Sequence, residues 1–185
     1  MSPLEEEIAG RLKAFQSEED LDALSDASDL IESMDVETAV LPSEKIKFRR
    51  EKLRLQMSVL NRIDERLDPD FDFDNVPSLT SSPPPELGLP AGVDPSSIKD
   101  PQARAKYEKE VAANQQKAAR YAYQKRLYKL DRQATERTEE HIGNTYSTSP
   151  EDIAELYNLI NELVTNERRK TSLKRFALTR EGTVD

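Results

Sequence analysis

Apolar residues recur at intervals of three and four along most of this 185-residue chain, the spacing that places them on one face of an α-helix. Ser2-Pro3-Leu4-Glu5 sets a capping hydroxyl, a proline at the first helical position and a glutamate three residues past the cap. Leu4, Ile8, Leu12 and Phe15 then form one stripe, which predicts a first helix to about Phe15. Ser17 recaps ahead of Glu18, Glu19 and Asp20, and a second helix follows with Leu21, Leu24, Leu30, Ile31 and Met34. Ser25, Asp26, Ser28 and Asp29 weaken its middle, where a break into two pieces is expected. Pro42-Ser43 closes that stretch and caps a third helix from Glu44 to about Leu67. There Ile46, Leu53, Leu60 and Leu67 repeat every seven residues in coiled-coil fashion, with Met57 and Ile63 between them. Phe48, Leu55 and Val59 widen the buried face, and the opposite side bears Lys45, Lys47, Arg49, Arg50, Lys52 and Arg54.

The longest uninterrupted pattern runs from Asp100 to about Ile142. It holds neither Pro nor Gly after its Asp-Pro cap and is rich in Ala, Gln, Lys, Arg, Glu and Leu, which predicts one helix of about 60 Å. Tyr107, Val111, Asn114, Ala118, Tyr121 and Tyr128 lie on one side of it, and Tyr123, Leu127, Leu130 and Ala134 on nearly the opposite side. The apolar face changes sides between Ala118 and Tyr128, so this helix is expected to be central, with the third helix on one stripe and the last on the other. The first stripe also admits a second reading, as a partner or self-association surface in which Asn114 sets register seven residues from both Tyr107 and Tyr121.

Gly143-Asn144 predicts a left-handed stop to the long helix. Ser149-Pro150-Glu151-Asp152 starts the next, whose Ile153, Leu156, Tyr157, Leu159, Ile160, Leu163 and Val164 give the clearest amphipathic face in the chain. The short connection favours an antiparallel hairpin. Glu167 to Arg180 is basic, with Leu173, Phe176 and Leu178 as packing points, and residues 181–185 form a frayed tail.

Between the third and the long helix the pattern stops. Residues 68–98 contain seven of the eleven prolines, which predicts an extended segment with polyproline character around Pro83 to Pro85. The chain thus divides into an N-terminal helical region (1–67), a proline-rich acidic linker (68–98), the long helix with its hairpin (99–180) and the tail. The fold class is all-α: an elongated helical bundle with a long central helix, a C-terminal antiparallel helical hairpin and a proline-rich extended segment.

Charge sharpens this division. Residues 1–40 carry a net charge of -10, 41–67 of +4, 68–98 of -6 and 99–185 of +3. An acidic arm beside a basic helix lowers the repulsion of packing the two together. No apolar run approaches the roughly 18 residues that span a bilayer, and Met1 is followed by Ser2, Pro3, Leu4 and three glutamates rather than a signal region. The sequence as written reads as cytoplasmic, and an exported chain whose signal had been removed would read the same way.

Candidate chemistry is sparse. Without Cys there is no thiolate nucleophile or cysteine metal site, and the five Gly are scattered, so no phosphate-binding glycine loop forms. His141, the only histidine, is expected at the surface near a helix C-terminus, where the dipole favours its protonated form. Asp68, Asp70, Asp72 and Asp74 alternate with Pro69, Phe71 and Phe73, but Phe73 stands where a calcium loop needs Gly and Leu79 where it needs Glu. Two readings of this stretch remain: a docking segment with Phe71 and Phe73 as anchors and Asp70 and Asp72 as complementary charge, or two phenylalanines folded back on the bundle. No cofactor or metal is expected. The candidate partner-binding residues are Asp70, Phe71, Asp72 and Phe73, with Tyr107, Asn114, Tyr121 and Tyr128 on the long helix. The function these features favour is a non-enzymatic interaction or scaffold module that binds a protein partner through helix faces and the acidic–aromatic segment. Self-association is a variant of it. A nucleic-acid-associated protein using the basic faces, and a small hydrolase built on carboxylates or His141, are the alternatives.

Overall fold

Proline placement lays out the architecture. Four prolines open helices and the other seven all lie in 68–98. A proline at the start of a helix loses nothing, because its missing N–H would have had no partner there. The structure is a computed structural model describing residues 2–34, 41–77 and 81–180, with the backbone alone for Glu86. The described residues are all-α, with helices α1 (Pro3–Glu18), α2 (Leu21–Glu32), α3 (Pro42–Arg66), α4 (Pro101–Thr145), α5 (Pro150–Leu163) and α6 (Glu167–Thr179). None of these helices is long and apolar enough to cross a membrane. The tail expected to fray lies outside the described residues.

Side chains cap most of the starts. Ser2, Asp20, Ser149 and Asn166 each accept a backbone N–H from the first turn that follows. The predicted break in α2 does not occur, because Ala27, Ser28 and Ile31 are buried and packing outweighs the weak local propensity. Nor is Ser43 the cap of α3: the helix begins at Pro42, with Leu41 at the cap position and no side-chain bond there.

The chain falls into two compact units, residues 1–67 with 127–185, and residues 68–126. The division cuts α4 between Arg126 and Leu127, inside the stretch where its apolar face changes sides.

In the first unit, α1 packs on α2, α2 on α3, α3 on α5 and α5 on α6. Ile8, Phe15, Leu24, Ile31, Leu53, Met57, Leu60, Ile63, Leu127, Leu156 and Leu173 are almost wholly buried. Hydrogen bonds give the directions. Arg49, early in α3, reaches Thr145 at the end of α4, while Gln56 reaches the Arg137 carbonyl, so α3 and α4 run antiparallel. Arg49 also meets Asp152 and Glu155 early in α5, and Asn61 meets the Leu163 carbonyl at its end, so α3 and α5 run parallel. Ile46 of the α3 stripe and Phe48, expected to widen its buried face, are exposed instead of covered, and burial begins at Lys52.

The end of α4 departs from its sequence signal. Gly143 lies within the helix, and the only glycines with positive φ among the described residues are Gly88 and Gly92. A left-handed glycine normally satisfies the last carbonyls of a helix. Here two arginines do so: Arg49 donates to the Thr145 carbonyl at 2.8 Å, and Arg180 donates to Ile142 at 3.0 Å, to Tyr146 and to Ser147 at 2.6 Å.

The second unit sets 68–98 against the first 26 residues of α4. The expected extended segment is irregular, with short 3-10 turns at Pro85–Leu87 and Pro95–Ser97. Its acceptors find donors on α4. Tyr107 Oη donates to the Ser81 carbonyl at 3.1 Å, Asn114 Nδ2 to Ser81 Oγ at 2.8 Å, and Arg104 to the carbonyls of Ile98 and Ser96, both at 2.9 Å.

Candidate functional site

The stretch singled out by its alternating aspartates forms a fixed acidic turn within the second unit. Asp68 Oδ1 accepts the Asp70 N–H and Asp72 Oδ1 the Asp74 N–H, each at 3.0 Å, two side-chain turns of the kind aspartate makes two residues ahead of itself. Phe71 and Phe73 meet in a tilted pair at 4.8 Å between ring centres, and both meet Tyr121, at 6.1 and 5.7 Å. Tyr121 Oη donates to the Phe73 carbonyl at 3.3 Å. Arg120 grips the start of the turn, bonding Asp68 Oδ2 at 2.9 Å with its guanidinium over the Phe71 ring. Gln124 accepts the Asp68 N–H. Asp70, Asp72, Asp74, Asn75 and Val76 are left exposed, Val76 at 66%.

Seven of the eight candidate residues are therefore gathered on this unit. Asp70 and Asp72 face solvent, Phe71, Phe73 and Tyr121 are half-buried against one another, and Tyr107 is buried at 1% exposure. Asn114 is bound to Ser81 of the same unit, and Tyr128 is half-buried on the part of α4 that belongs to the other unit. Arg120, Gln124 and Ser81 hold the turn and its segment and were not anticipated. The sequence signal for Arg120 was its place next to Tyr121 on a helix facing an all-acidic segment.

The first unit ties several of its basic residues into helix junctions. Lys52 donates to the Met34 carbonyl at 2.9 Å and the Glu32 carbonyl at 3.3 Å, closing the end of α2. Arg169 forks onto Asp64 at 2.8 and 3.1 Å, bonds Thr135 at 2.8 Å and pairs with Asp131. Burial opposes its charge, and the two carboxylates more than restore it. Arg49 lies 4.0 Å from the Tyr146 ring centre and bonds Asp152 and Glu155. The basic runs read from the sequence thus lose Arg49, Lys52 and Arg169 to internal ties.

His141 is buried at 5% exposure, contrary to the surface position expected for it. Its Nε2 lies 2.9 Å from the Arg49 carbonyl, which can only accept, so that nitrogen carries the proton. Burial, with Lys52 and Arg49 nearby, pulls its pKa down to about 4 against the pull of that hydrogen bond. The ring is neutral near pH 7 and serves as a tie between α4 and α3. Desolvation overrides the helix dipole that favoured the charged form.

A groove of about 720 Å³ opens beside α6, with Glu136, Glu139 and Glu140 along one wall and Phe176, Tyr146 and Thr179 among its other lining residues. Burial, then the neighbouring Glu136, raise the Glu139 carboxyl above its ordinary pKa. His141 is not part of this lining. Comparison of the chain with family models, with curated proteins and with solved structures finds no match.

Proposed function

We propose that this chain is a non-enzymatic interaction module that holds a protein partner on the acidic turn at 70–76. The observation that carries this reading is the pairing of exposed Asp70, Asp72 and Asp74 with a backbone already fixed by the Phe71, Phe73 and Tyr121 cluster. A loop that must be ordered on binding spends interaction energy on its own entropy, and a preset one does not. Phe71 and Phe73 then act as the internal brace of the docking surface, while the carboxylates and Val76 face the partner. Complementary chemistry is a cationic segment with an apolar residue to cover Val76.

The test is capture of partners by the wild-type chain and by an Asp70→Lys, Asp72→Lys variant, after nuclease treatment. Both replaced side chains are exposed, so the fold should be unchanged by circular dichroism. A defined protein retained by the wild type and lost by the variant supports the reading. Equal retention by both removes it.

A further inference from the structure

We propose that the groove beside α6 seats the first two turns of α3 from a second copy of this chain. Every residue from Leu41 to Phe48 is exposed, and Arg49 is the first of the helix to be tied to α4 and α5. Two helical turns standing free are marginal in water. This end nevertheless carries Leu41 at 54%, Ile46 at 40% and Phe48 at 38% exposure, three of the six exposed large apolar side chains among the described residues. Lys45 and Lys47 flank them. An apolar helix end flanked by lysines fits a hollow that offers an aromatic side chain beside carboxylates, and the groove sets Phe176 beside Glu136, Glu139 and Glu140; the rest of its lining is mainly polar, and its cation Arg180 is turned onto the Ile142, Tyr146 and Ser147 carbonyls.

Charge complementarity selects the occupant. The helix end and the groove belong to the same compact unit, so each copy carries one of each. Two copies related by a two-fold axis would make the contact twice, and such self-complementary pairing is the commonest route to a dimer. A lysine brought against Glu139 would also relieve the repulsion between that carboxylate and Glu136. This surface is separate from the acidic turn, and Asp70→Lys leaves it untouched.

Sedimentation of the full chain over a dilution series tests the proposal with two charge reversals, Lys45→Glu with Lys47→Glu on the helix end and Glu136→Lys with Glu140→Lys on the groove. All four positions are exposed, so helix content should be retained. The wild type should pass from monomer to dimer on concentration and shift toward monomer with added salt. Each variant alone should need about ten times the concentration or more to dimerise. An equal mixture of the two should recover the wild-type midpoint, because the reversed helix end now faces a reversed groove. Phe48→Ala, which changes no charge, should weaken dimerisation of an intact fold. A wild type that stays monomeric throughout, variants that dimerise like it, or a mixture that stays monomeric would each overturn the proposal. So would a groove variant that loses a foreign basic protein while the wild type remains monomeric, since the groove would then belong to that partner.

Discussion

The two ends of α4 solve the same problem with different chemistry. Toward Thr145 its neighbours are helices, whose backbones are already satisfied, and it meets them with Leu127, Ala134 and Ile142. Toward Pro101 its neighbour is an irregular segment: Tyr121 and Arg104 donate to its Phe73, Ile98 and Ser96 carbonyls, Tyr107 adds a second donor to the Ser81 carbonyl, and Asn114 bonds the Ser81 hydroxyl. A buried carbonyl without a donor is costly. The stripe of Tyr and Asn, which the sequence alone leaves open between core and partner surface, is therefore what a helix requires when it packs on non-helical backbone.

Substitutions at the two ends should separate accordingly. Leu127→Asp puts an unpaired charge where exposure is 0% and should cost about 4 kcal/mol or more. Hydrogen exchange should show protection of residues 127–145 collapsing, and unchanged protection would show that this end is not held by its apolar stripe. Arg169→Met leaves the half-buried Asp64 and Asp131 without their cation and should cost about 3 kcal/mol by chemical denaturation.

Between these and the gentlest change lies a pH effect. His141 binds its proton more weakly folded, at about 4, than unfolded, at 6.5, so the unfolded state takes up more protons in that window. Stability is therefore full above pH 6.5 and falls as the pH drops toward 4, by about 3 kcal/mol in all. His141→Gln keeps an N–H for the Arg49 carbonyl and does not titrate, so its stability should be flatter across that range. Equal slopes for both proteins would refute this role for His141. The smallest effect belongs to the other end. Tyr107→Phe removes one donor from the Ser81 carbonyl, which still receives the Gly92 N–H at 2.8 Å, so the loss should be about 1 kcal/mol and confined to residues 68–126. A loss as large as that at Leu127 would erase the distinction between the two ends.

Helix positions were legible because caps and periodicity are local: Ser2-Pro3, Ser149-Pro150 and the Asp100-Pro101 start all stand where their spacing puts them. The errors came where a distant side chain replaced a local signal. Gly143 looks like a stop only while Arg49 and Arg180 are ignored, and both arrive from far along the chain. His141 and Lys52 looked like surface residues because single-residue preference knows nothing of the carbonyls waiting beside them. The acidic turn was visible as a pattern of Asp and Phe, but its bracing by Arg120 and Gln124 depends on a segment turning back onto a helix some 50 residues later in sequence. The groove has no sequence signature, since Glu136, Glu140 and Phe176 come from two helices brought side by side only by folding.

The arginine-sealed end of α4 also bears on the order in which the chain can assemble as it is made. Arg49 precedes Thr145 by 96 residues, and the other seal waits for Arg180. Residues 68–126 have all their own contacts once residue 126 has left the ribosome, whereas the other unit lacks the α5 and α6 contacts of its N-terminal helices until more than fifty further residues follow. Synthesis should thus complete residues 68–126 first and the other unit afterwards. Truncation series on stalled ribosomes should show protease resistance of 68–126 appearing before that of α1 to α3.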